Sequence, residues 1–292
     1  MGNNLMLPHE DTWGILPLQN CILQIAQYID SLCLDNNIDY FLMGGSALGA
    51  VRHNGFIPWD DDLDIFMTPA NYKKFRDIFN KYGDKSNYYL QEHGKCGDMV
   101  VSAKLRYNKS SFIEPVFADM DMHHGVFVDI FILHTCPDNQ MCRLWQYFWA
   151  RYVVVKGLSN RAIVRGGTVR KLILSVFKLL PKRFLLNFSL KQIYRFSHKP
   201  SSYYCHFLGR ANLQKGLYLR DYFVKPTRHA FESIELNVPN NVEEYLESRF
   251  GDYMKLPSKK EIMHFQHTTE WSVDSSFKRV GKGTFKDEKY VF

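Results

Sequence analysis

Apolar residues recur at three- and four-residue steps through Leu18, Ile22, Ile25, Ile29 and Leu32. That stripe predicts an amphipathic helix ending at Asn36 and Asn37. The run IDYFLM then predicts a strand that stops at Gly44 and Gly45, with Ser46 capping a short helix over residues 47–52. Pro58 and Trp59 interrupt the pattern before DLDIFM, the next predicted strand. Thr68 and Pro69 form a helix start, and Tyr72, Phe75, Phe79 and Tyr82 line the helix it opens. MVVSAKLRY alternates as a strand, which places Lys104 and Arg106 on one face. GVFVDIFIL is apolar on both faces and predicts a central strand, interrupted only by Asp129.

From Gln140 to Phe196 the texture changes to long basic and aromatic helical stretches, RLWQYFWARYVVV and VRKLILSVFKLL. Past Arg220 mixed character returns: FESIELNVP as a strand, VEEYLESRF as a helix, GDYMKLPSKKE as a loop. The expected organisation is therefore an α/β (α+β) core over residues 1–138, a basic aromatic helical lobe over 139–220, and a segment over 221–292 returning to the core. No internal repeat or low-complexity tract interrupts it.

Charge sharpens this division. The net charge of +7 conceals 16 Lys and Arg against no Asp or Glu in residues 139–220, while the rest holds 21 against 30. The six cysteines form no CxxC pair, which points to reduced thiols rather than a disulfide framework or zinc ribbon. No secretory leader pattern opens the chain, and no apolar run reaches the roughly 18 residues of a spanning helix. The expectation is a soluble or peripheral protein in the cytoplasm.

The chemistry concentrates in GGSALGAVRHNGFIPWDDDLDIF, where Asp60, Asp61, Asp62 and Asp64 crowd together just before an apolar strand. On that strand Asp62 and Asp64 share a face while Leu63 and Ile65 enter the core. Adjacent carboxylates repel unless a cation sits between them, and hard oxygens at this spacing suit Mg²⁺, with Mn²⁺ the alternative. Asp129, flanked by apolar residues, needs a partner, and a metal shared with Asp62 and Asp64 supplies one. A solvated acidic turn and an Asp bonded to local amides are the plainer alternatives. The glycine pair and the helix N-terminus at Ser46 allow backbone N–H groups to approach phosphate.

A glycine pair, a D-x-D strand and a third Asp on a later strand form the signature of nucleotidyltransferase-like folds. The wording GGSALGAVRHNGFIPWDDDLDIFM resembles the LicD family, and the likeness continues in SAKLRY, HHGVFVDIFIL, FESIELNVP and FGDYMKLP. The resemblance implies a mixed-sheet core with flanking helices and a phosphotransferase activity. Such an enzyme moves phosphocholine, or a similar phospho-alcohol, from CDP-choline or another CDP-alcohol to a sugar hydroxyl, releasing CMP. The acceptor would be a cell-surface glycan (lipopolysaccharide, capsule or teichoic acid) or its lipid-linked precursor. On this reading Asp62, Asp64 and Asp129 hold the metal, with Asp129 either a ligand or the general base. Gly44, Gly45 and Ser46 contact phosphate, as do Arg52 and His53 by their place in the family block. Lys104 and Arg106 neutralise diphosphate oxygens, or else lie on a solvated sheet face. Trp59 is a core residue or a stacking platform; His123 and His124 are not metal ligands; His134, Glu232 and His267 carry no assigned role. Transfer of NMP from an NTP, and an inactive membrane adaptor, are the alternatives to phospho-alcohol transfer.

The basic lobe interleaves Trp145, Tyr147, Phe148, Trp149, Tyr152 and Phe177 with Arg and Lys. That composition fits an anionic membrane surface, at the inner face of the plasma membrane, or an anionic acceptor; nucleic acid fits it less well.

Overall fold

The computed structural model describes residues 11–92, 102–115, 117–118, 122–159, 167–179, 182–209, 212–258, 262, 267–268 and 270–275. The first element is α1 (Leu16–Asp35), which buries the predicted apolar stripe and ends at Asn36. Strand β1 (Phe41–Leu42) is shorter than the apolar run suggested. Helix α2 (Gly44–His53) begins at the first glycine, so Ser46 lies inside its first turn rather than capping it. Gly44 makes the strand-to-helix corner with φ +53°, a conformation that strains any residue with a Cβ. Strand β2 (Asp64–Met67) opens at Asp64, which leaves Asp62 in the preceding loop instead of on the strand. Helix α3 (Pro69–Tyr82) follows, capped by the Thr68 hydroxyl accepting from the Asn71 N–H.

Next come β3 (Tyr88–Gln91), β4 (Ala103–Tyr107), β5 (Ser111–Phe112), β6 (Phe127–Ile132) and β7 (His134–Cys136). The main sheet has the order β1-β2-β6-β4-β3, with β6 in the middle, as a strand apolar on both faces requires. Its β2–β6 pair is parallel and the other pairs are antiparallel. One face is apolar, with Ile65, Leu105, Val128 and Ile130 in the core beside α1. The opposite face carries Phe66 and Phe131 at one end, packed with His206, Tyr218 and Phe223. At its other end stand Asp64, Asp129 and Lys104.

Helices α4 (Gln140–Ser159), α5 (Thr168–Leu179) and α6 (Lys182–Tyr194) occupy the basic segment. Strands β8 (Tyr203–Cys205) and β9 (Leu217–Leu219) complete a small sheet with β7. A separate apolar cluster holds Ala150, Val153, Leu186, Leu190 and Ile193 together with Cys136 and Cys205. The run FESIELNVP is a hairpin rather than one strand: β10 (Thr227–Phe231) and β11 (Ile234–Val238) turn at Glu232, where φ is +55°. Helix α7 (Val242–Phe250) covers VEEYLESRF as expected, and β12 (Trp271–Ser272) pairs with β5. The architecture is thus mixed α/β, with seven helices among the described residues.

Candidate active site

In register, Asp64 on β2 faces Asp129 on β6, and Asp129 faces Lys104 on β4. Neighbouring strands lie about 4.8 Å apart, so these side chains form one row across the same face of the sheet. Lys104 Nζ lies 2.7 Å from Asp129 Oδ2, and the Ser102 hydroxyl donates to Asp129 Oδ1 at 2.9 Å. Lys104 also lies 3.8 Å from Glu114 and over the Phe127 ring. The cation that the buried Asp129 demands is therefore a lysine of the next strand.

Asp64 has no such relief. Its Oδ1 is sealed from solvent without a hydrogen-bond partner. Burial pushes its carboxyl well above the usual range, and the nearby charges of Asp62 and Asp129 push it further, against the pull of Lys104. Asp62 is raised for the same first reason, burial, with His267 opposing. Asp60 is also raised by burial and by Asp62 and Asp61. Asp62, Asp64 and Asp129 are thus within electrostatic reach of one another. Among the described residues, no three His, Cys, Asp or Glu side chains converge closely enough as they stand to hold a metal ion.

The glycine corner is built into this site. A Cβ on Gly45 would stand 2.9 Å from Asp60 Oδ2, so the absence of a side chain lets Asp60 approach the helix. The Gly44 N–H donates to Tyr245 Oη at 2.9 Å, and the Ser46 N–H to the Met43 carbonyl. Two of the amides expected to face phosphate are therefore engaged within the protein. The Ser46 hydroxyl accepts from the Asp64 N–H at 2.8 Å, which ties α2 to the start of β2.

Arg52 and His53 sit at the far end of α2. Arg52 Nε donates to His53 Nε2 at 3.0 Å, and Nη1 donates to the Tyr253 carbonyl at 2.9 Å. Arg52 thereby anchors the loop after α7, and His53 packs edge-on to Trp59. Arg106 shares the face of Lys104, as alternation required, but it is fully buried. Its donors go to Gln91 and to the Gly125 carbonyl, and its guanidinium lies over Phe127. Arg106 braces the sheet beside the carboxylate row.

Three residues of the site had no assigned role in the sequence. Asp61 is buried, and the His267 and Thr268 N–H groups both donate to its Oδ2, at 2.7 and 3.4 Å. His267 Nδ1 lies 2.7 Å from Asp61 Oδ1 and 3.5 Å from Asp62 Oδ2. The bond to Asp61 outweighs burial and raises the imidazole to about 9, with Asp62 adding to the effect. Glu232 Oε1 accepts from the Phe56 N–H at 2.8 Å, and its own N–H donates to the Asn54 carbonyl at 2.7 Å, pinning the loop that leads to the aspartates.

The family model of the LicD/FKTN/FKRP nucleotidyltransferase domain matches residues 37–156, a span that contains the glycine corner, all four clustered aspartates, Lys104 and Asp129. Over 257 residues the chain is 29% identical to the lipopolysaccharide cholinephosphotransferase LicD of Haemophilus influenzae, covering 82% of this chain and 91% of that protein. It is 35% identical over 111 residues to the ribitol 5-phosphate transferase FKRP of Homo sapiens, which covers 36% of this chain and 21% of that one.

Proposed function

We propose that this chain, whose residues 37–156 match the LicD-family nucleotidyltransferase model, is a phospho-alcohol transferase that takes its donor as a CDP-alcohol and delivers to a glycan hydroxyl. The observation that carries this reading is the crowding of Asp62, Asp64 and Asp129, in which Asp64 Oδ1 is buried and lacks any donor. A buried carboxylate oxygen in that state fits a divalent cation, and three hard oxygen donors suit Mg²⁺. Asp62 and Asp64 would hold it, with Asp129 completing the set. When bound, the cation supplies charge neutralisation to a diphosphate.

The residues themselves do the rest. An acceptor hydroxyl oxygen forms a bond to the distal phosphorus, the bond from that phosphorus to the CMP oxygen breaks, and CMP leaves. The proton of the attacking hydroxyl passes to a carboxylate of the site. Asp129 is the least available for it, because Ser102 and Lys104 already take its two oxygens. His267, bridging Asp61 and Asp62, holds the chain ahead of β12 against the aspartate loop and fixes the loop's position. In phosphoryl transfer such positioning carries most of the catalysis.

The test is product identity. Purified protein is incubated with Mg²⁺, a glycan acceptor and CDP-choline, CDP-ribitol or CDP-glycerol in turn, and CMP release is measured. Turnover of one donor, lost in Asp64→Asn, supports the reading. Pyrophosphate release from CTP or ATP, with no CMP from any CDP-alcohol, would replace it with nucleotidyl transfer.

A further inference from the structure

The three helices of the basic segment turn apolar stripes towards water. On α4 the exposed residues Met141, Leu144, Trp145 and Phe148 recur at helical spacing; on α5 they are Leu172, Val176 and Leu179; on α6, Phe184 and Phe188. Leu179 is 87% exposed and Phe184 75%. A helix packed on a soluble core presents the opposite arrangement. The stripes join into one surface: Trp149 stacks edge-on against Phe188 at 4.8 Å, Trp145 Nε1 donates to Gln192, and Tyr152 meets Phe177 at 5.7 Å. Contiguous exposed apolar area of this kind marks an interaction site.

Charge identifies the partner. Residues 139–220 hold 16 Lys and Arg and no acidic residue, so a second copy of this segment would offer no carboxylate to the exposed Lys191 and Arg195 beside the stripes. Nucleic acid or a soluble polyanion would satisfy the cations but leave the leucines and phenylalanines in water. An anionic lipid bilayer satisfies both, taking the apolar stripes between its headgroups and the cations at its surface. Along α6 the two components follow one another on a single face, from Phe184 and Phe188 to the exposed Lys191, with the exposed Arg195 just past the helix end. Among the described residues no helix is long and apolar enough to cross a membrane, so contact is made along the surface. Arg165 lies outside the described residues, as do the side chains of Arg170 and Lys171, and the surface is defined without them.

We propose that α4, α5 and α6 form a docking face for an anionic membrane, with Trp145, Phe148, Leu179 and Phe184 entering the headgroup region. This stands apart from the transferase reading, since it concerns binding and not turnover.

The experiment is flotation of the full chain with vesicles of phosphatidylcholine alone and of phosphatidylcholine with phosphatidylglycerol, at physiological salt. Bromine-labelled lipid reports on tryptophan quenching. The wild type is expected to float with anionic vesicles only and to lose fluorescence to the labelled lipid, with Trp145→Tyr reducing that loss. Phe148→Ser with Phe184→Ser should weaken partitioning on the order of tenfold per residue. Lys191→Glu with Arg195→Glu should weaken it by at least about fivefold per cation. These side chains are exposed, so unchanged circular dichroism and thermal midpoint are expected and are checked. No flotation with anionic vesicles would overturn the proposal. So would flotation that survives the serine variants and disappears only with salt, which would mark a polyanion site. A stable dimer by light scattering that the serine variants dissociate would assign the face to a second copy instead.

Discussion

Replacing His267 with Gln keeps a side chain of similar reach and the backbone N–H to Asp61, but removes the charge. In metal-free protein, with chelator present, the consequence is set by the imidazole's rise from 6.5 to about 9. A rise of that size corresponds to about 3 kcal/mol. The side chain is 35% exposed, so screening leaves about 2 kcal/mol. The sign follows from which form is favoured. The folded state holds the proton more tightly than the unfolded chain, so the stabilisation is complete below pH 6.5 and is lost as pH rises through about 9. Urea unfolding followed by tryptophan fluorescence is a suitable assay, because Trp271 pairs with Phe112 four residues beyond His267 and reports on this part of the chain. Wild type should exceed His267→Gln by about 2 kcal/mol near pH 6, and the two should converge above the folded pKa. A difference that stays constant with pH, or grows as pH rises, would refute the ion-pair account and leave only packing.

Asp64→Asn should abolish CMP release yet stabilise the metal-free protein by about 1 kcal/mol in urea unfolding, because it removes a buried, unpartnered charge. Mg²⁺ binding should release more protons the lower the pH, since burial raises Asp62 and Asp64, and calorimetry in buffers of different ionisation enthalpy measures that release. Gly45→Ala should lower stability by under about 1 kcal/mol, as only the end of the Asp60 side chain must move, while weakening Mg²⁺ affinity by about tenfold. Lys104→Met should destabilise by about 3 kcal/mol in the same unfolding assay, because it leaves Asp129 charged and unpaired against the sheet.

What could be read from the sequence follows from how far each signal reaches along the chain. Helices α1, α3 and α7 declare themselves by apolar spacing, α3 also by its Thr68 cap, and all lie where the pattern puts them. Central β6 follows from its two apolar faces. Short elements were less legible. The αL turn at Glu232 breaks FESIELNVP into a hairpin, yet glutamate is not a turn signal; the residue is held there by the loop at Asn54 and Phe56. Ser46 resembled a cap because its type and position suit one, but the corner made by Gly44 starts the helix three residues earlier and frees its hydroxyl for Asp64.

The site shows the same division in sharper form. That Asp129, and the pair Asp62 and Asp64, need compensation follows from their own neighbours in the chain, and that much was readable. Which group compensates depends on strand order and on chain return, and neither leaves a mark in local spacing. Lys104 reaches Asp129 because β4 happens to flank β6, and the alternation that put Lys104 and Arg106 on one face could not say that the first would meet Asp129 while the second donates to Gln91 and the Gly125 carbonyl. His267 reaches Asp61 across 206 positions. The aspartate run together with Asp129 thus states a demand for positive charge larger than any one cation meets: a lysine answers Asp129, a histidine answers Asp61 and Asp62, and Asp64 keeps an oxygen unanswered. A fold selected for stability alone would have exchanged that last carboxylate for a neutral residue, and its retention at the head of β2 is the physical reason to look for a bound cation there.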